Sequence, residues 1–196
     1  MNPVSPGPHT RAARRPADAS GPPCRQEAQS VTKAELLAEQ LDGSRQWTLK
    51  LLADFAGHEW TFQPRPGLQH ALWLAGHLTV AAHLLVMVRC LGRSVLDDDF
   101  AAHFAIGGPV KSAAEHDYPP PELVRATMDR THACVLEAIR SMSDAKLCEP
   151  AYGKDGAPHP HYATVAGAVG HASRHEAFHA GQIALLRRLL GKQFLR

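Results

Sequence analysis

Three histidines recur at every fourth position near the end of the chain, at His171, His175 and His179. Side chains four apart on a helix lie on one face, rotated by only about 40°. The same stripe continues through Gln182 and Leu186, so it must face a core. Buried imidazoles are costly unless they are hydrogen-bonded or bound to a metal, and two at i and i+4 can bind one ion. The pattern predicts a helix that carries a two-histidine metal clamp.

The string from His175 to His179 also reads H-E-x-x-H, the signature of zinc metalloproteases. Those enzymes take a further ligand from downstream of the motif. Residues 180–196 contain no Asp, Glu, His or Cys, so any additional protein ligand must come from upstream and a protease is disfavoured. Glu176 lies a quarter turn from the ligand face, and we expect it not to contact the metal.

His77 is the strongest upstream candidate for a third ligand. It lies centrally on the inner stripe of a helix predicted over residues 68–91, with Leu74 and Ala81 at spacings of three and four. His83 is about 240° further round the helix and is expected to face away. A packed core histidine is the ordinary interpretation of His77 alone, but the clamp on the last helix favours a ligand.

The other histidines and one glutamine leave several roles open. His171, one turn from the clamp, is a fourth ligand, a group that orients a ligating histidine, or a packed hydrogen-bonded residue. Gln182 is a candidate for hydrogen-bonding a bound water or substrate. His132 is a weaker candidate on the third helix. His159 and His161 fall in a connector, where solvated side chains are the usual outcome.

These residues need helices to position them, and four stretches have the apolar periodicity of long helices. The first begins after Thr32, a predicted N-cap with Glu35 three residues on, and ends by Gly57. The third is predicted over residues 121–142, and the fourth begins at the N-cap Thr164 and ends at Gly191. No segment reads convincingly as a strand. The predicted fold is therefore an all-α antiparallel four-helix bundle.

The connecting segments differ in composition from the helices. Residues 1–30 are rich in Pro, Ala, Ser and Arg, which predicts a disordered leader before a single domain over residues 31–196. Prolines between residues 60 and 67 predict a non-helical connector. Residues 92–120 form a long loop, and a compact domain uses such a loop either as a functional lid or as a mobile segment.

Composition excludes several classes of function. The net charge is only +2, and the basic residues are scattered, so direct binding of nucleic acid is not expected. Four widely spaced cysteines without a CxxC pair predict reduced thiols. No apolar run is expected to reach the ~18–20 residues of a membrane span, and no signal-peptide core is present. We expect a soluble, cytoplasmic protein with no membrane partner.

Two segments resemble the metal-binding segments of the DinB-like (YfiT-type) metalloprotein family. They are WLAGHL at residues 73–78 and HASRHEAFHAGQI at residues 171–183. The Phe-Gln-Pro turn at residues 62–64 is similar too, and the resemblance covers roughly residues 32–192. The block H-x-x-x-H-x-G-Q is its most discriminating part. The family often has Arg before this Gly-Gln pair, where the present chain has Ala180.

The resemblance implies that His77, His175 and His179 bind one divalent ion in a protein that is commonly a homodimer. Zinc is the first expectation, with nickel, iron or manganese as alternatives. Three protein ligands leave at least one coordination position open, as in catalytic sites.

Characterised members of the wider superfamily include thiol S-transferases and a thiol-dependent maleylpyruvate isomerase. The resemblance therefore implies a metal that activates a low-molecular-weight thiol for attack on an electrophilic substrate. The alternative is a non-enzymatic, metal-binding stress-response protein. In that case the ion mainly fastens the second helix to the fourth.

Overall fold

Four long helices pack around a shared core in the computed structural model, which describes residues 30–153, 156–157, 159 and 162–195. Within these ranges the chain forms isolated bridges but no strand, so the predicted all-α bundle is confirmed. The predicted leader lies outside the described residues, apart from Ser30. The long helices are α1 (Lys33–Leu52), α2 (Ala71–Leu91), α4 (Pro121–Arg140) and α6 (Val165–Leu189), and the short ones are α3 (Asp98–Ala102) and α5 (Asp144–Cys148).

The predicted helix starts are confirmed by the caps. The Thr32 side chain accepts a hydrogen bond from the backbone N–H of Glu35, and Thr164 accepts one from Gly167. These bonds satisfy N–H groups that have no partner inside the helix. Beyond the end of α6, Gly191 has a φ of +72°, the left-handed conformation that glycine adopts at low cost.

Three short elements were not predicted. A 3-10 helix at Gly57–Thr61 begins where α1 was expected to end, so α1 is shorter than predicted and the start of the proline-containing connector is helical. The expected loop at 92–120 contains α3, which Asp97 caps by accepting from two backbone N–H groups. The helix α5 is five residues long. Elements this short carry too little apolar periodicity to be recognised.

The segment at 92–120 is packed onto the bundle. Phe100, Phe104 and Val110 are buried in the same core cluster as Trp60 and Trp73. Gln63 reinforces this contact because its amide donates hydrogen bonds to the carbonyl oxygens of Leu68 and Val110, at 2.7 and 3.0 Å. The buried aromatic side chains make this segment a fixed wall of the domain.

The helix α2 is long and apolar enough to span a membrane, with a mean hydropathy of 1.8 over its most apolar stretch. The expectation that no segment reaches such a length was therefore wrong. However, 83% of that stretch is buried inside the bundle, and α2 packs mainly against α4 and α6. Burial in a protein core accounts for this hydropathy without a membrane.

The N-terminus of α2 is capped by a histidine. Nδ1 of His70 accepts a hydrogen bond from the backbone N–H of Trp73 at 3.1 Å, and the side chain is fully buried. Burial lowers the pKa of His70 from 6.5 to about 4. The cap needs the neutral ring because a protonated Nδ1 cannot accept a hydrogen bond.

We predict that this cap makes the stability of the bundle depend on pH. Unfolded His70 takes up a proton below pH 6.5, whereas the folded ring resists protonation down to about pH 4. The free energy of unfolding should therefore fall as the pH falls between these values, by up to about 1.4 kcal/mol per pH unit from this group. His70→Asn keeps a capping side chain but cannot titrate, so its loss over this window should be smaller when measured by urea unfolding.

The matched control is His58→Asn, because His58 is exposed and its replacement should leave the pH profile unchanged. A His70→Asn profile parallel to that of the parent protein would contradict the prediction.

Candidate metal centre

The structure brings His77, His175 and His179 together between α2 and α6. Nε2 of His175 lies 3.3 Å from Nε2 of His77 and 3.1 Å from Nε2 of His179. One potential ligand atom from each residue lies within 4.8 Å of the other two. The i, i+4 spacing on α6 and the central position on α2 produce this convergence, as the helical periodicity required. Metal binding by these residues stays a prediction.

Hydrogen bonds on the far side of two rings fix which nitrogen carries the proton. Nδ1 of His77 lies 3.4 Å from the carbonyl oxygen of Phe104, and Nδ1 of His179 lies 2.6 Å from Oε1 of Gln182. Both oxygens are acceptors, so each Nδ1 donates. Nε2 of both rings therefore presents a lone pair towards His175. Fixing a ligating histidine through its second nitrogen is a common feature of metal sites.

Burial keeps the three imidazoles neutral. It lowers the pKa of His77 to about 4 and that of His175 to about 3, with a further contribution from the neighbouring His179 in each case. Burial also lowers the pKa of His179. At neutral pH the cluster thus offers unprotonated nitrogens, the form in which histidine binds metals.

The donor set fits a divalent transition metal. Two nitrogens bound tetrahedrally to one zinc ion at ~2.0–2.1 Å would lie about 3.3 Å apart. The two separations from His175, at 3.1 and 3.3 Å, are close to this value. Three neutral nitrogen donors suit zinc, nickel, copper or iron better than manganese, which favours oxygen ligands.

Two contacts, with Trp73 and with Phe104, position His77. Its ring stacks on Trp73, with ring centroids 4.6 Å apart and planes 7° from parallel. Phe104, which accepts the Nδ1 hydrogen bond, also lies against Gly76, and a Cβ at Gly76 would come within 2.3 Å of the Phe104 ring. The glycine before His77 is therefore required by the close approach of the segment that follows α3.

The glutamate of the H-E-x-x-H string does not belong to this cluster. Both carboxylate oxygens of Glu176 accept hydrogen bonds from the Arg45 guanidinium, at 2.8 and 3.0 Å. Both side chains are 1% exposed, and Arg45 also donates to the carbonyl oxygen of Met128. Glu176 thus joins α6 to α1, away from the metal ligands as expected. Arg45 was missed, although it follows Leu41 on the inner stripe of α1.

His171 and Gln182 take different places. Gln182 contacts His179 directly, so it occupies the orienting position that His171 was a candidate for. The His171 ring is centred 6.1 Å from His175 and 5.5 Å from Tyr162, outside the three-residue ligand group, and it lines a cavity beside that group.

The weaker histidine candidates lie elsewhere. Nε2 of His132 is 2.9 Å from the Asp42 carboxylate, which links α4 to α1. His83 was expected to face away from His77, but it is buried and lines the same cavity, because residues 94–95 fold over it and Val95 donates to its Nε2. His159 stacks on Tyr162, and His161 lies outside the described residues.

A cavity of about 570 Å³ opens beside the cluster. His77 and His175 form part of its wall, and residues 94–106 form another part. The segment His83–Val88 of α2, which is π-helical, also contributes. Such π-helical turns are rare and frequent at functional sites. The size falls within the range of cavities that bind small molecules.

The fold and the site together define an all-α bundle with a three-histidine cluster at its centre. The model of the DinB superfamily matches residues 40–183 of the chain, a span that includes all three histidines. The chain therefore belongs to the DinB superfamily. No curated protein matches the sequence.

We predict that each of the three histidines is needed for metal affinity. His77→Ala, His175→Ala or His179→Ala should each lower the affinity for Zn²⁺ by more than the ~10–100-fold typical of losing an orienting partner, because few protein donors remain. Gln182→Ala should fall within that smaller range. Competition with a chromophoric chelator measures both effects. His58→Ala is the matched control, and unchanged affinity in a ligand variant would exclude this site.

We also predict that the Arg45–Glu176 pair serves stability and not metal binding. Arg45→Met leaves a buried carboxylate unpaired and should lower the free energy of unfolding by about 3–5 kcal/mol. The double variant Arg45→Met, Glu176→Leu should recover much of this loss. Denaturant unfolding of the metal-free proteins gives these values. A double variant that folds but has lost its Zn²⁺ affinity would contradict the assignment.

Proposed function

We propose that this protein binds one divalent metal ion at His77, His175 and His179 and uses it to transfer a low-molecular-weight thiol to an electrophile. The observation that supports the proposal is the convergence of three neutral imidazoles, of which His77 and His175 line a cavity of about 570 Å³. A site of three nitrogens beside a cavity has room for an exogenous ligand, as catalytic sites do. A closed structural site would instead supply four protein ligands.

A divalent ion bound there would lower the pKa of a thiol ligand and so supply a thiolate at neutral pH. The thiolate sulfur attacks an electrophilic carbon and forms an S–C bond. The leaving group departs with the electron pair of the bond that breaks, and the thiol proton passes to solvent. The reaction needs no oxidant or reductant.

The residues of this chain would contribute position more than chemistry. Gln182, Trp73 and the Phe104 carbonyl hold the ligating rings in place through the contacts described above. His171, on the cavity wall beside His175, is placed to contact a bound thiol or substrate. The cavity would hold the electrophile within attack distance, and such positioning is a large part of many rate enhancements.

The second candidate is a non-enzymatic stress-response protein in which the ion serves structure. The observation that favours it is burial, since His77 and His179 are only 4% and 8% exposed. An ion at this point would join α2 to α6, and its binding free energy would add to the stability of the bundle.

Homodimer formation is a further proposal. Its support is the exposure of Phe178, Leu185 and Leu189 on α6 and of Trp47 on α1, because a symmetric partner is a common way to cover apolar surface.

We predict that the protein loaded with zinc or nickel transfers at least one of glutathione, mycothiol and bacillithiol to a generic electrophile such as 1-chloro-2,4-dinitrobenzene. Product formation is followed by absorbance, and the rate should fall to background after chelation. His175→Ala should abolish the reaction, whereas His58→Ala should not. The absence of turnover with any pair, together with a lower melting temperature after chelation, would favour the structural role.

A further inference from the structure

The cavity beside the histidine cluster has a cationic side chain on its wall. Arg89, in the last turn of α2, lines the cavity together with His77 and His175. Its Nη1 donates a hydrogen bond of 2.6 Å to the hydroxyl of Tyr162, which is buried. The phenol therefore fixes one arm of the guanidinium. A guanidinium has several N–H donors, so those not bonded to Tyr162 can donate to a ligand.

Arg89 differs from the two arginines that are most deeply buried. Arg45 and Arg187 are almost fully buried, and each binds a carboxylate, that of Glu176 and that of Asp54 respectively. Arg89 is half-buried, yet within the described part of the chain no carboxylate lies at ion-pair distance from it. A partly desolvated guanidinium without an anionic partner is costly, so this position suits an anion brought by a ligand.

The rest of the cavity wall indicates the chemical character of the ligand that carries the anion. Most of its residues are apolar, so the body of a ligand should be apolar as well. Apart from Arg89 and the histidines His77, His171 and His175, the polar lining residues are His83, Ser94 and Asp98. His83 accepts the Val95 hydrogen bond, and Ser94 donates to Leu96. Asp98 is exposed in the first turn of α3 and would repel a second negative charge. The apolar lining includes Leu84, Leu85, Val88 and Phe104.

We infer that Arg89 binds the carboxylate of a small monoanionic molecule whose apolar body fills this cavity beside the histidine cluster. A guanidinium fork matches the two oxygens of a carboxylate, and one cation suits one negative charge. This inference deepens the proposed function, since it assigns a carboxylate to one of the two reactants. The carboxylate belongs either to the thiol or to the electrophile, and both sources share the same chemistry at Arg89.

The first experiment uses chelator-treated protein, because a carboxylate could otherwise bind the metal directly. Binding of 3-phenylpropanoate is compared with that of its neutral isostere, 3-phenylpropanamide, by NMR titration that includes the Nε–H signal of Arg89. The carboxylate should bind about tenfold or more tightly than the amide, since a charge-assisted hydrogen bond is worth roughly 1.5–3 kcal/mol. Its addition should shift the Arg89 signal.

Variants then locate the preference. Arg89→Met keeps much of the side-chain volume and should remove the preference for carboxylate over amide, while Arg89→Lys should retain part of it. Tyr162→Phe should weaken it by freeing the guanidinium. Equal binding of carboxylate and amide by the parent protein would overturn the inference without any variant, as would a preference that survives in folded Arg89→Met.

A second experiment distinguishes the two sources and separates this inference from the proposed function. Metal-loaded protein is titrated with 3-mercaptopropanoate and with 2-mercaptoethanol, and the two affinities are compared in parent and Arg89→Met. A preference for the acidic thiol that disappears in Arg89→Met assigns the carboxylate to the thiol. If the two thiols bind alike while 3-phenylpropanoate binding still depends on Arg89, the carboxylate belongs to the electrophile.

Carboxylate binding without any thiol transfer would support the Arg89 site and contradict the proposed function. Thiol transfer with no carboxylate preference in either experiment would support the proposed function and contradict the Arg89 site.

Discussion

The close approach of two imidazole nitrogens to a third, at 3.1 and 3.3 Å, is the constraint on which the rest of this bundle depends. Nε2 of His77 and Nε2 of His179 both present lone pairs, so a single N–H on His175 can satisfy only one of them. Such a cluster does not form by itself, because desolvated lone pairs without donors are costly. The surrounding contacts must therefore hold the rings together. A bound cation or an added proton would remove this unfavourable free energy by pairing with the lone pairs.

Those contacts come from α1, α2 and α6 and from one connecting segment. The segment after α3 supplies the Phe104 carbonyl, and its ring packs against Gly76. Within α6, Gln182 fixes His179. The Arg45–Glu176 pair, buried and bidentate, sets how α6 lies against α1. A buried ion pair is a poor source of net stability, but its strict geometry suits a place where the helix that carries two ligands must not rotate.

The sequence could predict the helices and the convergence because both follow from periodicity. His175 and His179 share a face of α6 by the pitch of the helix, and His77 lies on the stripe of α2 that the apolar spacing predicted to face the core. The short helices were not predicted because five residues form barely more than one helical turn. The placement of residues 94–95 over His83 was not predicted for a different reason. It depends on contacts between segments that no local sequence pattern encodes.

The missed side chains follow the same division. The sequence did contain a sign of the Arg45–Glu176 pair. An arginine at an apolar position of an inner stripe needs a buried carboxylate as a partner, and Glu176 on α6 was available. Trp73 and Gly76 lay inside the segment that resembles the family, but their roles depend on ring stacking and on a close approach that only coordinates reveal. Tyr162 and Arg89 are 73 positions apart in the chain, and nothing in the sequence pairs them.

Metal ligation and ligand recognition are assigned to different parts of this fold. The histidine cluster lies between α2 and α6, where His77 and His179 are buried, so its geometry is set by the core. The recognition surface lies further along α2, where the π-helical turn and the segment at 94–106 line the cavity. Apart from Phe104, which also positions His77, the lining side chains do not hold the ligand rings, and placing recognition on a stable scaffold in this way is common in functional sites. The Arg89–Tyr162 contact is of this second kind, since it sets what enters the cavity and leaves the three nitrogens unchanged.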